Sequence, residues 1–229
     1  MKSPGGSKSA SRAAEHEEQP RAQKSHRKPV RQRGKAKFNV LLDATEALLL
    51  EHSTDEIGLY QIAERAGTSP ASVYHFFPHK NAAFLALANR YQEGGFREIL
   101  GRPIDAAQLK NWQDLKAIIM GRSVEFFNSN LAAQKLYLGS GSNWEIRQKD
   151  LAGNITTANE LVRLYDLFFV MPPIKDLAKR FAISISITDS VWALSSALYG
   201  RITEEYAQES LRAGIAYYRT FLPEYLERR

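Results

Sequence analysis

A chain of 229 residues, 44% of them hydrophobic, carries enough apolar side chain for one large domain, or for a small domain beside a larger one. It contains no cysteine, which excludes a disulfide framework and a thiolate metal site and fits a reducing cytosol. The net charge of +6 is concentrated at one end: residues 1–37 hold eleven Lys and Arg against three Glu (+8), and the remainder holds twenty basic against twenty-two acidic residues (−2).

Residues 1–32 are rich in Ser, Gly, Lys, Arg and Gln and poor in large apolar side chains. Such a segment buries too little surface to offset its ordering entropy, so a disordered basic tail is expected. A basic end of this kind fits a polyanion partner, nucleic acid above all, and equally fits a solubilising tail. The opening MKSPGGSKSASRAA lacks the apolar core of a secretory signal, and no uninterrupted apolar run approaches the roughly 18 residues of a membrane span. The expectation is a soluble, cytoplasmic protein with no membrane partner.

From Lys35 the texture changes. In KFNVLLDATEALLLEH, Leu41, Ala44 and Leu48 recur at helical spacing and Leu42 and Leu49 widen the stripe, which predicts an amphipathic helix of about four turns. Ser53, Thr54 and Asp55 break it. LYQIAERA predicts a second helix from Leu59 to Ala66, closed by Gly67 in the left-handed conformation, with Asp55 as a candidate early cap. A third, very short helix follows, with Ser69 as N-cap, Pro70 in the first helical position and Pro78 forcing a stop by Phe77. Val73, Phe76 and Phe77 are its expected inner face. Phe84, Leu85, Leu87, Ala88 and Tyr91 belong to a fourth helix.

The texture shifts again after Gly94 and Gly95, which suggests a domain division into residues 33–93 and 96–229. Helices are expected at about 112–129, 131–138, 154–170, 175–200 and 203–227, with Gly139 to Asn154 as the longest loop. ISISITDS alternates like a strand, but its flanks are helical and uninterrupted by Gly or Pro, so length favours one long buried helix.

Two short helices joined by a tight Gly-containing turn make a helix-turn-helix, whose second helix enters the DNA major groove. The outer residues Thr68, Ser69, Ala71 and Ser72 are small or hydrogen-bonding and allow close approach to bases. Tyr74, His75 and Lys80 have the reach and donors for flanking phosphates. No P-loop, G-x-S-x-G or G-x-G-x-x-G motif is present, and His16, His26, His52, His75 and His79 do not form a metal set. No catalytic residue, metal or cofactor is expected, and an enzyme is not indicated.

IAERAGTSPASVYHFFPHK resembles the signature of the TetR family of bacterial transcriptional regulators, and LLDATEALL is similar to that family's first helix. The resemblance covers about residues 35–91; residues 96–229 carry only helical texture. It implies an all-α fold: an N-terminal three-helix helix-turn-helix domain and a larger C-terminal helical domain for effector binding and dimerisation. The family's DNA contacts carry over to Thr68, Ser69, Ala71, Ser72, Tyr74, His75 and Lys80, with Arg31 and Arg33 just before the first helix as a candidate arm. It also implies a cavity between C-terminal helices, for which the candidates are Phe127, Tyr137, Tyr165, Phe169 and Trp192. Few charges fall at inward positions there, so the expected effector is a small apolar or aromatic molecule. Two apolar stripes (Ile187, Val191, Leu194, Leu198 and Leu211, Ile215, Tyr218, Phe221) suggest a four-helix homodimer interface. The function so implied is a repressor that binds a pseudo-palindromic operator on double-stranded DNA and responds to a ligand. The alternative is an architectural DNA binder that uses the basic tail without sequence specificity.

Overall fold

A computed structural model describes residues 32–139 and 144–229. The basic tail up to and including Arg31 lies outside the described residues. Nine α-helices run in order among them: α1 (Gln32–Glu51), α2 (Leu59–Arg65), α3 (Pro70–Phe76), α4 (Lys80–Gly101), α5 (Trp112–Ser129), α6 (Leu131–Tyr137), α7 (Trp144–Phe168), α8 (Leu177–Tyr199) and α9 (Glu204–Tyr218). They contain no strand, only an isolated antiparallel bridge between Phe169 and Arg228. The fold is all-α, as the hydrophobic periodicity predicts.

Several boundaries differ from the sequence expectation. Helix α1 begins at Gln32, because Gln, Arg, Ala and Lys are good helix formers and only Gly34 interrupts them. Arg33 is therefore an exposed residue of the first helical turn, not part of an arm preceding it. Helix α4 does not stop at Gly94 and Gly95 but continues to Gly101. Gly95 serves an approach, since a Cβ there would lie 2.8 Å from the Phe126 ring of α5. Helix α7 begins at Trp144, inside the expected loop; Gly153 alone costs the helix only about 1 kcal/mol. Helix α9 ends at Tyr218, well short of 227. Thr220 Oγ1 turns back to the Tyr217 carbonyl (2.7 Å), Pro223 forbids continuation, and the C-terminal segment instead pairs with the residues after α7 through Val170 N–H to Glu227 O (2.8 Å).

ISISITDS is helical, within α8. Its hydroxyls are absorbed by the carbonyls one turn back: Thr188 to Ser184 O (3.0 Å), Ser186 to Ala182 O (3.2 Å) and Ser190 to Ser186 O (2.9 Å). By length and composition alone α8 is apolar enough to cross a membrane, but it lies between α7 and α9 with Phe181, Ser184, Trp192 and Ser195 buried.

Two main apolar clusters organise the helices. One joins α1 to α4 through Leu41, Leu49, Ile62, Val73, Phe77, Phe84 and Leu87, and extends to Phe126 of α5 and Ala133 and Leu136 of α6. The other joins α5, α7, α8 and α9 through Trp112, Leu115, Tyr165, Phe181 and Tyr218. Each fully buried Leu or Phe contributes roughly 1.5–3 kcal/mol. Phe181 and Tyr218 stack at 4.6 Å, and the Trp112 indole donates to the Pro223 carbonyl at 2.9 Å. Helices α4 (Ile99, Leu100) and α5 thus serve both clusters, so a displacement in one reaches the other through packed side chains. Lys135 of α6 adds a polar link by donating to the Leu49 and His52 carbonyls at the C-terminal end of α1 (2.6 and 3.2 Å).

Candidate nucleic-acid interface and cavity

The turn between α2 and α3 explains the tight seating of the short third helix. Gly67 has φ +59°, its N–H reaches the Glu64 carbonyl (3.0 Å), and the Thr68 N–H reaches back to Ala63 (3.0 Å). This is the paired closure that ends a helix on a left-handed glycine. Pro70 opens α3 with its fixed φ, and Ser69 occupies the N-cap position. The Ser69 hydroxyl does not cap, however; it pairs with Ser72 Oγ at 3.1 Å, and Lys37 of α1 donates to the same Ser72 oxygen at 2.7 Å.

The entry to α2 also departs from the expectation. Asp55 does not cap it. Gly58 is the N-cap, its N–H is accepted by Gln61 Oε1 (2.6 Å), and the Gln61 amide donates to the Glu56 carbonyl (2.8 Å). Glu56 accepts from the Ser53 N–H and hydroxyl, both at 2.8 Å, and these bonds hold its carboxyl below the usual range. Arg65 then ties α2 to α1 by two hydrogen bonds to Glu51, at 2.9 and 2.5 Å.

Val73, Phe76 and Phe77 are buried, and Phe77 lies 5.3 Å from the ring of Phe38 on α1. The opposite side of the unit is open. Ser69, Ala71, Tyr74 and His75 are exposed, Tyr74 by 60%, and Thr68 and Ser72 are half-buried beside them. These six form a single surface, with Arg33 and Lys37 on the neighbouring first turns of α1. Lys37 escaped the sequence reading, and only its contact with Ser72 marks it.

Lys80 is placed differently from the expectation. Its ammonium donates to the carbonyls of Thr54 and Asp55 (3.0 and 3.1 Å), bracing the loop between α1 and α2. Two of its three N–H donors are thereby used, which leaves at most one for a phosphate. Lys80 is the first residue of α4, and His79 caps that helix by accepting from the Ala82 N–H through Nδ1 (3.2 Å). Lys80→Met is therefore expected to lower stability by about 1–2 kcal/mol through loss of charged hydrogen bonds, measured by urea unfolding. A variant as stable as the parent would show that the ammonium is solvated.

A cavity opens between the two apolar clusters, with about 170 Å³ available to the centre of a water molecule. One water needs roughly 10–15 Å³ by that measure, so the space suits an organic molecule. Phe127, Tyr137, Tyr165 and Trp192 line it, together with Ile119, Met120 and Leu161. Phe169 does not: it is fully buried just beyond the C-terminal end of α7, its ring 6.4 Å from that of Tyr165. Tyr218, taken from sequence for a dimer stripe, is buried on the cavity wall.

Few charges reach the lining, as expected, but two do. Lys116 of α5 reaches the cavity with only 7% of its surface exposed. Its ammonium lies 3.2 Å from Ser184 Oγ and 3.9 Å from the centre of the Tyr218 ring, and desolvation pushes its pKa down to about 7. Asp189, which accepts from the Asn154 amide at 3.3 Å, is the other charged residue type on the wall.

The wall is mechanically connected to α1 and α4. Tyr91 and Gln92 of α4 line the cavity. The Tyr91 hydroxyl donates to Glu46 of α1, and burial together with that carboxylate pushes the phenol's pKa up. Arg90 pairs with Glu46 and with Asp43, the latter at 2.5 Å, and the Tyr137 hydroxyl donates to the Ala88 carbonyl at 2.6 Å.

Residues 41–87 match the family model of the bacterial regulatory proteins of the tetR family. No curated protein matches the chain. Among solved structures, the chain is similar to a TetR-family transcriptional regulator from Streptomyces coelicolor (TM-score 0.62, 19% identity, covering 81% of this chain and 99% of that one). A TetR transcriptional regulator from Rhodococcus sp. RHA1 gives a TM-score of 0.61 at 15% identity, covering 81% and 97%. SmeT, the repressor of the Stenotrophomonas maltophilia multidrug efflux pump SmeDEF, gives 0.57 at 18% identity, covering 83% and 93%, and its triclosan complex is also matched. At these identities the likeness concerns the fold.

Proposed function

We propose that this chain is a transcriptional regulator of the TetR type, a ligand-responsive repressor that binds a pseudo-palindromic operator as a homodimer. The observation that carries the reading is the seating of α3: an aromatic inner face, two locked ends and an outer surface of small and hydrogen-bonding residues. A helix so fixed meets base edges in the major groove without ordering itself on arrival.

Dimerisation is supported by α8, where Ile183, Leu194 and Leu198 are exposed by 41%, 53% and 58% and share a stripe with half-buried Ile187 and Val191. A second copy covering that stripe would place two α3 helices on one duplex. Operator half-sites one helical turn apart require a separation of roughly 34–36 Å. The cavity supports the response to a ligand. Tyr91 and Tyr137 touch both the cavity and the α1–α4 pair, so an occupant that favours one position of α4 shifts the recognition helices, provided it binds the two positions unequally. SmeT, a repressor of the same fold, has a complex with triclosan, which accords with a small-molecule effector.

Selection of bound sequences from a random duplex pool at about 150 mM salt tests the reading. A palindromic consensus is expected. Absence of enrichment, with binding abolished by removal of residues 1–30, would replace it with an architectural role for the basic tail. Against the selected sequence, Tyr74→Ala is expected to weaken binding roughly 3- to 30-fold with stability changed by no more than about 0.5 kcal/mol. Fluorescence anisotropy and thermal melting measure the two, and unchanged affinity would remove Tyr74 from the interface.

A further inference from the structure

Lys116 is an expensive residue for a wall that otherwise needs only apolar and aromatic groups. No carboxylate among the described residues forms an ion pair with it, so its charge is offset only by a hydroxyl and a ring face. The fold nevertheless makes room for it. A Cβ at Gly214 of α9 would lie 2.5 Å from Lys116 Cε and 2.9 Å from Nζ, so this glycine is the niche in which the end of the side chain sits. Ser184 of α8 and Tyr218 of α9 close the niche, and the open side of the group is the cavity.

We propose that the cavity binds an amphipathic carboxylic acid, its carboxylate against the Lys116 ammonium and its apolar body among Met120, Phe127 and Trp192. The proposal rests on the reading of the cavity as an effector site and names the chemical class of the effector. A carboxylate supplies the counter-charge that the protein withholds, in a dry setting where charged hydrogen bonds are strong. The other ionisable groups on the wall do not compete for this role. They are the phenols of Tyr91, Tyr137, Tyr165 and Tyr218 and the carboxyl of Asp189. Asp189 stands five residues beyond Ser184 on α8, about 7.5 Å along the helix axis, which separates it from the head position.

Binding carries a proton signature. With its free value near 7, Lys116 is largely uncharged at alkaline pH. An acid ligand must then restore the proton, so its affinity falls by about tenfold per pH unit above about 7 and is level below it.

Titration calorimetry on the full-length protein tests this with octanoate, 4-phenylbutyrate and the corresponding alcohols, octan-1-ol and 4-phenylbutan-1-ol, at about pH 6.5 and about pH 9. At the lower pH the acids are expected to bind about ten- to a hundredfold more tightly than the alcohols, and the advantage should shrink at the higher pH while the alcohols hold constant. Lys116→Met should equalise acid and alcohol. Gly214→Ala, which keeps the ammonium but crowds it, should reduce the acid's advantage. Alcohols as tight as acids in the parent protein, or an acid preference that survives Lys116→Met, would overturn the proposal and leave the cavity an effector site of another class. Failure of all four probes to bind would overturn both.

Discussion

Lys116→Met is expected to stabilise the protein by up to about 4–5 kcal/mol at about pH 6 and by far less above about pH 10.5. Proton linkage sets this dependence. In the unfolded chain the lysine has its ordinary value near 10.5, and in the native state burial brings it to about 7. Between these values the unfolded chain holds a proton that the native state has released, so stability contributed by this group rises with pH across that window. Below about 7 the native lysine is charged and bears the whole penalty, which for a difference of that size is about 4–5 kcal/mol. Methionine has a similar length, no charge and a flexible stem that suits the same niche. Urea unfolding of both proteins across the range isolates the effect, because every other titration is common to the pair. A difference independent of pH would mean that water reaches the ammonium in the native state, and the acid-binding niche would lose its physical basis. The same experiment establishes that the variant folds, so a loss of acid binding in it is a loss of the site.

The sequence and the structure agree most closely where local chemistry decides. Gly67, Pro70 and Pro78 each dictate a backbone conformation without help from tertiary contacts, and the helix-turn-helix could be read from them with its inner and outer faces assigned. The alternating segment 183–190 required a choice between two periodicities, and chain length resolved it because hydroxyls in a helix can bond the preceding turn. What sequence could not supply was the use of side chains across distant segments. Lys80 has the position and charge of a phosphate contact, yet it is taken by carbonyls 25 and 26 residues away. Gly94 and Gly95 look like a domain break, but the ring of Phe126 demands a glycine within a continuous helix. The C-terminal limit of α9 depends on a pairing with the end of α7, some 60 residues earlier.

Lys116 is the instructive omission, since its signal was present. It stands four residues after Trp112 and three and four before Ile119 and Met120, on the buried stripe of α5, where a lysine breaks the amphipathic pattern. A charged residue in register with buried aromatics is either a boundary error or a site. Distinguishing them needed the niche at Gly214, which no pattern along α5 can reveal. Four of the five aromatic candidates line the cavity for a plainer reason: large rings in a bundle core leave gaps between them, and a cavity found there is necessarily walled by aromatics.

Phe77→Ala is expected to lower stability by about 3–5 kcal/mol and to weaken operator binding without removing any group that reaches DNA. Phe77 is fully buried at the C-cap of α3, its N–H bonded to the Val73 carbonyl at 2.8 Å and its ring packed between Phe38 of α1 and Phe76. The short α3 has too few residues to be helical unaided, so its order comes from this packing. Removal of the ring opens a space that Pro78, with its fixed φ, cannot collapse into by extending the helix. The loss therefore falls on the population of seated α3, and affinity declines in proportion to the fraction of molecules that keep it seated. Thermal melting and anisotropy at two temperatures separate this from a contact effect. For Phe77→Ala, binding should recover on cooling as the seated fraction is restored. For Tyr74→Ala, which leaves the aromatic seat intact, the deficit should persist at both temperatures. A Phe77→Ala protein that melts like the parent would mean that the turn at Gly67 alone holds the reading helix, and that the aromatic cluster beneath it is dispensable.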